Sequence, residues 1–356
     1  MLRLLKNTSK TPKNTYKAKV FLGLSGGVDS AVSAALLKQD GYDVTGVFIK
    51  VWQPDFLTCT WREERRDAMR VAARLNIPFL FLDFEKEYKK GVADYMIEEY
   101  RKGRTPNPDV MCNREIKFGA FWQKAKELGA DYIATGHYAR NEKGVLMEGA
   151  DKEKDQSYFL WTLPSKDLEH VLFPVGDLKK EMVRRLARKF NLPVSDKKDS
   201  QGICFLGDVN IEEFLSHFID VKAGDVLDIK GDTIGRHNGS LLYTLGERHG
   251  FVITKKTPDS KALFVVKKDI NKNTITVSDQ KSLENSEIKI ENANWISMKP
   301  SARSHQLEAR IRYRQKKVSI TLNDEIVKFK TPQVVASGQS IVFYNGEVVL
   351  GGAIIR

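Results

Sequence analysis

The chain has 356 residues, enough for two or three domains, and its 41% hydrophobic and 29% charged content is typical of globular proteins. No apolar stretch approaches the roughly 20 residues that cross a bilayer, so we expect no membrane association. The net charge of +12 favours a polyanionic partner. The three cysteines, Cys59, Cys112 and Cys204, are too few for a disulfide scaffold and fit a reduced compartment, so we expect a cytoplasmic protein.

Residues 1–18 form a basic segment that contains no acidic residue. A start without acids and with several Ser and Thr residues resembles an organelle transit peptide. The segment is rich in lysine rather than arginine, however, and shows little amphipathic pattern. We therefore predict a disordered basic arm, with organelle import as the alternative.

Strands and helices alternate from Lys19 to about Gly136. The segments "KVFLGL", "DVTGVFIKVW", "PFLFLDF" and "DYIATG" are typical of strands, and "AVSAALLKQDG", "REERRDAMRVAARLN" and "NREIKFGAFWQKAKELG" are typical of helices. Such alternation predicts an α/β domain with a doubly wound parallel sheet, which we place at residues 19–208. Ligands of such sheets bind at the carboxyl ends of the strands.

A phosphate-binding turn is predicted at "LSGGVDS", between the first strand and the first helix. Gly26 and Gly27 let the backbone approach an anion, and the helix that follows directs its N–H groups towards it. Asp29 occupies a loop in which a lysine is more usual. An acid beside phosphates needs a positive counterpart or a catalytic task. The alternative is an ordinary tight turn with a capping Asp.

Cys112 and Cys204 lie in loop-like segments with basic neighbours. Pro106 and Pro108 stiffen the loop that leads to Cys112, which is predicted at the start of a helix. A helix N-terminus near Lys117 would lower the pKa of the Cys112 thiol. Cys204 follows a lysine-rich stretch in "KKDSQGICFLG". The alternative for each is a small buried hydrophobic residue.

The second half of the chain changes character after about Phe205. We predict a small central domain at residues 209–280, which starts with the helix "NIEEFLSHFI", and a C-terminal β-barrel at residues 281–356. In that barrel "LEARIRYRQKK" is predicted as a strand, with Arg310, Arg312 and Arg314 on one face.

One helix of the first domain, "LKKEMVRRLARKF", is predicted to be amphipathic. Its core face is Leu178, Met182, Val183, Leu186 and Phe190. Its outer stripe is Lys180, Arg184 and Arg188, which we expect to be solvated or to follow RNA phosphates.

The loop sequence "SGGVDS" resembles the signature of the ATP pyrophosphatase superfamily, whose members cleave ATP between the α- and β-phosphates. The resemblance implies ATP as cofactor, with Mg²⁺ as its counter-ion and no dedicated protein metal site. A loop that holds the departing pyrophosphate does not need the lysine that serves γ-phosphate transfer. The implied nucleotide-binding residues are Gly23, Leu24, Ser25, Gly26, Gly27, Val28, Asp29, Ser30, Ile49 and Gly136.

A resemblance to the tRNA-specific 2-thiouridylase family spans nearly all of the chain after the basic arm. It is carried by "SGGVDS", "GRTPNPDVMCNREIKFG", "ATGHY", "KDQSYFL", "LFPVGDL", "KKDSQGICF", "RYRQ" and "SGQSIVFYNGEVVLGG". The resemblance implies ATP-dependent 2-thiolation of the wobble uridine of tRNA, with Cys112 as nucleophile and Cys204 as persulfide carrier. Asp29 would act as acid/base or orienting group. Cys59 matches no catalytic motif.

The same resemblance implies two partners, a tRNA substrate and a protein that donates persulfide sulfur. The implied tRNA-binding residues are Asn107, Pro108, Asp109, His137, Lys154, Asp155, Gln156, Arg312, Tyr313 and Gln339. Two alternatives remain: an amidating synthetase would have no use for the two cysteines, and a catalytically inactive tRNA-binding module would not need an intact "SGGVDS".

The implied chemistry requires two thiols. Uridine O2 is adenylated so that it can leave with AMP, and the persulfide on Cys204 supplies the sulfur. Cys112 then breaks the S–S bond, which either releases sulfide locally or leaves a Cys112–Cys204 disulfide. Because such a disulfide needs Cα atoms about 4.4–6.8 Å apart, we expect at least one cysteine loop to move.

Overall fold

The computed structural model describes residues 17–57, 60–199, 202, 204, 207, 210–254, 262–279, 283–296 and 307–356. Residues 1–16 of the basic arm and Cys59 lie outside the described residues, so the predictions about them stay predictions. None of the helices described in these ranges has the length and apolar content needed to span a bilayer.

The first domain contains a parallel five-stranded sheet covered by helices, as predicted. The sheet strands are β1 Lys19–Gly23, β2 Asp43–Lys50, β3 Phe79–Asp83, β4 Tyr132–Ala134 and β7 Val171–Leu172. The domain also contains a hairpin of β5 Ala139–Glu142 and β6 Val145–Glu148. Its helices are α1 Val28–Gln39, α2 Trp61–Leu75, α3 Glu85–Tyr88, α4 Asp94–Arg101, α5 Pro108–Cys112, α6 Phe121–Glu127, α7 Ser165–Leu168 and α8 Lys180–Lys189. The sheet order is β3-β2-β1-β4-β7, with every pairing parallel. The phosphate-loop segment therefore follows the central strand.

The helix that carries Cys112 is continuous through three segments. The amide oxygen of Asn107 caps α5 by accepting a hydrogen bond of 3.3 Å from the Val110 N–H. A wider π-helical stretch, Asn113–Ala120, then joins α5 to α6. Gly119 fits this winding because a Cβ there would lie 2.6 Å from the carbonyl oxygen of Arg114. The wide turn buries Cys112, Ile116 and Phe118 in one core.

The central domain is built on a small mixed sheet, in which β8 and β12 are parallel and the other neighbours are antiparallel. It begins with α9 Ile211–Ser216 and contains β8 Gly224–Leu227, β9 Thr233–His237, β10 Phe251–Ile253, β11 Phe264–Asp269 and β12 Thr274–Ser278. The sheet order is β10-β9-β8-β12-β11, around a core of its own.

The C-terminal domain is the predicted β-barrel. Its strands are β13 Glu284–Trp295, β14 Glu308–Arg310, β15 Val318–Asn323, β16 Ile326–Val334, β17 Ser340–Asn345 and β18 Val348–Ile355. The six strands close on themselves because β13 pairs with both β16 and β18. Closure leaves this set of strands without a free edge.

The prediction of one strand through "LEARIRYRQKK" is wrong beyond Arg310. The chain turns after β14, and Arg314 has a φ of 62°. Arg312 and Arg314 are exposed, whereas Arg310 is only 8% exposed. The three arginines therefore do not share a face.

A hairpin of the first domain extends the barrel sheet. Strand β6 pairs with β18 through Met147 and Val348. The buried guanidinium of Arg310 donates to Glu148 at 2.7 Å and to Asp155 at 2.5 Å. Two buried carboxylates of the first domain thus share one arginine of the barrel, which fastens the two domains together.

We predict that Arg310→Met lowers the melting temperature by at least about 5 °C. The variant leaves Glu148 and Asp155 buried without this partner, and breaking a buried ion pair costs about 3 kcal/mol or more. Differential scanning calorimetry measures the shift. Arg66→Met is the control, because the Arg66 side chain is 65% exposed and its pair with Glu63 spans 3.9 Å. Equal melting of both variants would contradict the prediction.

Candidate active site

The phosphate loop connects β1 to α1 in a shape that requires glycine. Gly26 has a φ of +75°, and a Cβ there would lie 2.4 Å from the carbonyl oxygen of Glu64. Gly27 precedes the first turn of α1. The hydroxyls of Ser25 and Ser30 lie 3.2 Å apart beside it. The side chains of Leu24, Val28 and Ile49, three of the predicted nucleotide residues, are buried. The loop backbone and the two hydroxyls are therefore the groups suited to phosphate.

The carboxylate of Asp29 is paired with a cation, as expected for an acid in a phosphate loop. Lys180, at the start of α8, places its Nζ 2.7 Å and 2.8 Å from the two carboxylate oxygens of Asp29. The Tyr138 hydroxyl donates a third hydrogen bond to Asp29, of 2.8 Å. A lysine from a distant helix thus neutralises the acid of the loop.

The predicted outer stripe of α8 is wrong for two of its three residues. The Lys180 side chain is 14% exposed, and Arg184 is 25% exposed. Both contact Asp199, at 2.9 Å and 2.6 Å respectively. Only Arg188 of the stripe, at 65%, projects into solvent, and Met182 of the predicted core face is 37% exposed. Lys180 and Arg184 thus face carboxylates of the first domain rather than solvent.

The segment after β4 links the phosphate loop to the thiol helix. Gly136 lies against the loop, since a Cβ there would be 2.7 Å from the Ser30 nitrogen. His137 accepts or donates a 2.7 Å hydrogen bond with Thr135, and its ring lies 5.9 Å from that of Phe118. Burial, together with the charge of Lys117, lowers the pKa of His137 well below its usual value. His137 is therefore a neutral, buried group.

The structure brings Cys112 and Cys204 into direct contact. Their Sγ atoms lie 3.4 Å apart, although 92 positions separate them along the chain. Both are free thiols, and Cys112 is fully buried. A disulfide requires a further approach of about 1.4 Å. The two sulfur atoms are thus already in contact, and the expected loop movement on disulfide formation stays a prediction.

The two thiols differ in acidity, in the opposite sense to the prediction. Burial, with a further contribution from the neighbouring Cys204, raises the pKa of Cys112 well above its usual value. The hydrogen bond that Cys112 donates lowers the pKa of Cys204 to about 7, and the charge of Lys117 acts in the same direction. Cys112 lies within a continuous helix rather than at a free N-terminus. Cys204 is thus the thiol that ionises near neutral pH.

Both backbone polar groups of Cys204 are held by side chains. Its N–H donates to Asp109 Oδ1 at 2.8 Å, and its carbonyl accepts from the Tyr88 hydroxyl at 3.0 Å. Burial raises the pKa of Asp109, although the bond from Cys204 opposes that shift. Tyr88 was not predicted as a site residue, and nothing in its local sequence marks it.

A cavity of about 300 Å³, within the size range of ligand pockets, is lined by Asp109, whose carboxylate accepts the hydrogen bond from the Cys204 N–H. Four predicted tRNA-binding residues line it, namely Asn107, Pro108, Asp109 and Gln339. Gly202, two residues before Cys204, lies on the same wall. The Gln339 amide also donates to the carbonyl oxygen of Thr105 at 2.9 Å, which fixes the loop that forms the rim.

The other predicted tRNA-binding residues occupy several environments. Asp155 is 3% exposed and binds Arg310, and Gln156 accepts a hydrogen bond from the Tyr138 N–H at 3.0 Å. Lys154 contacts Asp199 at 2.9 Å. Tyr313 packs 4.6 Å from the Phe159 ring, next to the exposed Arg312. Two of these residues, Asp155 and Gln156, thus organise the protein itself.

Three family models match consecutive parts of the chain. They are described as the tRNA methyl transferase HUP domain at residues 18–208, the tRNA methyl transferase PRC-barrel domain at residues 212–279, and the aminomethyltransferase beta-barrel domain at residues 285–355.

Curated relatives match nearly the full length of the chain. The tRNA-specific 2-thiouridylase MnmA 2 of Geobacillus kaustophilus is 42% identical over 358 residues, which cover 96% of each chain. The tRNA-specific 2-thiouridylase MnmA of Levilactobacillus brevis is 44% identical over 361 residues, again 96% of each. That of Listeria innocua is 41% identical, over 96% of this chain and 95% of its own.

We predict that alkylation of Cys204 by iodoacetamide is half-maximal near pH 7. Its thiolate is the reactive form, and that form increases as the pH rises through the pKa. Cys112→Ala removes the donated hydrogen bond and should move the midpoint up towards about 8.5, whereas Cys112→Ser keeps a donor and should not. Peptide mapping by mass spectrometry measures both rates. A common midpoint for all three proteins would contradict the assigned cause.

Proposed function

Because the chain belongs to the tRNA-specific 2-thiouridylase family, we propose that it uses ATP to convert the wobble uridine of tRNA to 2-thiouridine. One observation carries this proposal: two free thiols lie 3.4 Å apart, and Asp109, which binds the Cys204 N–H, lines a ligand-sized cavity. The descriptions of the family models name methyl transfer, a reaction that does not require a pair of thiols. An amidating synthetase would not need it either.

ATP activates the uridine in the first step. The oxygen on C2 attacks the α-phosphorus, pyrophosphate leaves, and the base carries an O-adenylyl group. The phosphate-loop backbone, Ser25 and Ser30 would hold the phosphates, and Mg²⁺ would supply their counter-charge. Lys180 turns from Asp29 towards the developing charge of pyrophosphate. Asp29 orients this lysine or accepts a proton.

The cavity beside Cys204 receives the target base. A base inside a stacked anticodon cannot reach a buried thiol, so the uridine has to leave the stack. Asn107, Asp109 and Gln339 provide amide and carboxylate groups that can read an exposed base edge. Pro106 and Pro108 keep this rim stiff.

Sulfur enters through Cys204. Its thiolate attacks the terminal sulfur of a persulfide on a donor protein, the donor leaves as a thiolate, and Cys204 retains the sulfur. A pKa of about 7 is close to the optimum for such an exchange. Cys112, with its raised pKa, stays protonated during loading. This difference supports Cys204, rather than Cys112, as the proposed carrier.

The persulfide then completes the reaction with Cys112. Its terminal sulfur attacks C2, and AMP leaves with the former C2 oxygen. Cys112 loses its proton beside Lys117 as it attacks the Cys204 sulfur, and that proton ends on N3 of the base, which lost its own on adenylation. The S–S bond breaks, the sulfur on C2 leaves as the thione of 2-thiouridine, and a Cys112–Cys204 disulfide forms. An external thiol reductant restores both cysteines. Attack on the persulfide before transfer, with release of sulfide, is the alternative order.

Two cysteine variants test this function. With tRNA, ATP and a ³⁵S-persulfide donor, the wild-type protein should form 2-thiouridine, whereas Cys112→Ser and Cys204→Ser should form none. Cys112→Ser should still take up label on Cys204, and Cys204→Ser should take up none. Adenylation needs neither thiol, so pyrophosphate release should persist in both. Nucleoside mass spectrometry and peptide mapping measure the products.

The result also fixes the order of the two roles. Label that accumulates on Cys112 in the Cys204→Ser variant would reverse them. Thiolation at the wild-type rate by either variant would contradict the proposed chemistry. Formation of 2-thiouridine without ATP would contradict the activation step alone.

A separate prediction concerns the tRNA surface. Arg312→Ala should weaken tRNA binding and reduce the slope of log K against log salt by roughly 0.7, because one phosphate contact is lost. Lys328→Ala, on the same barrel, is the matched control, since Lys328 is 64% exposed and paired with Glu287. Filter binding at several salt concentrations measures both. An unchanged slope in Arg312→Ala would remove Arg312 from the RNA interface.

A further inference from the structure

A tight turn of the central domain, Thr244–Glu247, contacts both of the other domains. Its first residue faces the first domain, where the hydroxyl of Thr244 lies 3.1 Å from that of Thr105. Its third residue faces the barrel, since a Cβ on Gly246 would lie 3.4 Å from Nη2 of Arg312. Thr105 belongs to the loop that forms the rim of the cavity, and Arg312 is a predicted tRNA contact. The 244–247 turn therefore lies between two parts of the proposed tRNA site.

The 244–247 turn is held firmly within its own domain. The Glu247 N–H donates to the Thr244 carbonyl at 3.0 Å, which closes the turn, and Gly246 has a φ of +89°, a conformation that favours glycine. The Glu247 carboxylate accepts a hydrogen bond of 2.9 Å from the Thr244 N–H. Two backbone hydrogen bonds of 2.9 Å join the turn to Val265 of β11. The Thr244 hydroxyl is thus attached to a rigid support, so it can fix a group that it contacts.

The residue that Thr244 contacts supports the cavity. The Thr105 carbonyl accepts from the Gln339 amide at 2.9 Å, and its N–H donates to the carbonyl oxygen of Ser337 at 2.9 Å. Gln339 lines the cavity, as does Asn107, two positions after Thr105. The barrel thus holds the peptide groups of Thr105, and the central domain holds its side chain. A shift of Thr105 would displace the acceptor of the Gln339 amide, and with it a side chain that is proposed to read the base edge.

We propose that Thr244 is a positioning residue, whose hydroxyl fixes Thr105 and thereby holds the cavity rim in the shape that aligns the target uridine. The inference rests on the proposed thiolation and adds a residue of the central domain to it. Thr244 does not line the cavity, so it acts through Thr105 and Gln339. Its loss should impair the alignment of a bound base, on which the rate depends steeply. Affinity for tRNA should persist, because phosphate contacts supply most of it.

Single-turnover thiolation separates alignment from affinity. Thr244→Val keeps the branched shape of the side chain and removes its hydroxyl. With enzyme in excess over tRNA, and with ATP and a ³⁵S-persulfide donor, 2-thiouridine formation should slow about fivefold, as expected for one hydrogen bond used in alignment. The Kd for tRNA in filter binding and the melting temperature should match those of the wild type. A merely structural role would lower the melting temperature and weaken tRNA binding together with the rate.

Further variants assign the effect to the pair of hydroxyls. Thr244→Ser keeps a hydroxyl and should restore the rate to near that of the wild type. Thr105→Val should slow thiolation to a similar extent as Thr244→Val. The double variant should be no slower than the slower single one, because both changes remove the same contact. Thr233→Val is the matched control, since Thr233 is an exposed strand residue of the same domain, and it should behave like wild type.

The outcomes separate this inference from the proposed function. Equal single-turnover rates for Thr244→Val and the wild type would overturn the role of Thr244 alone. The same holds if Thr244→Ser is as slow as Thr244→Val, or if the losses of Thr105→Val and Thr244→Val multiply in the double variant. A wild type that binds tRNA and ATP but forms no 2-thiouridine would overturn the proposed function, and this inference with it.

Discussion

The first-domain loop before α5 is bound by both of the other domains, and the position of Cys112 depends on it. Arg104 contacts Glu291 of the barrel at 2.6 Å, and the Thr105 N–H donates to the carbonyl oxygen of Ser337 at 2.9 Å. The Thr105 hydroxyl lies 3.1 Å from that of Thr244 in the central domain. The loop is thus clamped from both sides before the chain enters the helix. A displacement of either domain would move one sulfur relative to the other.

Electrostatics explain why reactive groups can lie so deep in the protein. A buried charge is costly unless it is paired, and both the Asp29 carboxylate and the thiol pair have a lysine partner. Lys180 serves Asp29, and Lys117 serves the thiol pair. For Lys117 burial alone would lower the pKa, but the neighbouring Cys204 and Cys112 raise it above its usual value. Lys117 and the Cys204 thiolate thus keep each other ionised.

The sequence predicted those elements that are determined by residues close together in the chain. The parallel sheet, the phosphate loop and the barrel follow from periodicity and glycine placement, and motif identity marked Cys112 and Cys204. The pairing of Lys180 with Asp29 was not predicted, because the sequence does not fix the direction in which a long side chain leaves its helix. The acid in the loop indicated only that some cation was needed. The burial of Arg310 is stabilised by its ion pairs with Glu148 and Asp155, about 150 positions earlier, which its own neighbours in sequence do not reveal. The acidity order of the thiols depends on tertiary burial and could not be deduced from neighbours in sequence.

The pairing of β6 with β18 has a consequence for folding during synthesis on the ribosome. Met147 emerges about 200 residues before its partner Val348, which at 5–20 residues per second means a delay of at least about 10 s. During this interval the hairpin presents an open strand edge, and Glu148 and Asp155 lack their arginine. Nascent chains that stall in the barrel would expose this edge to neighbouring chains. Completion of the last strand therefore finishes the first domain as well as the last one.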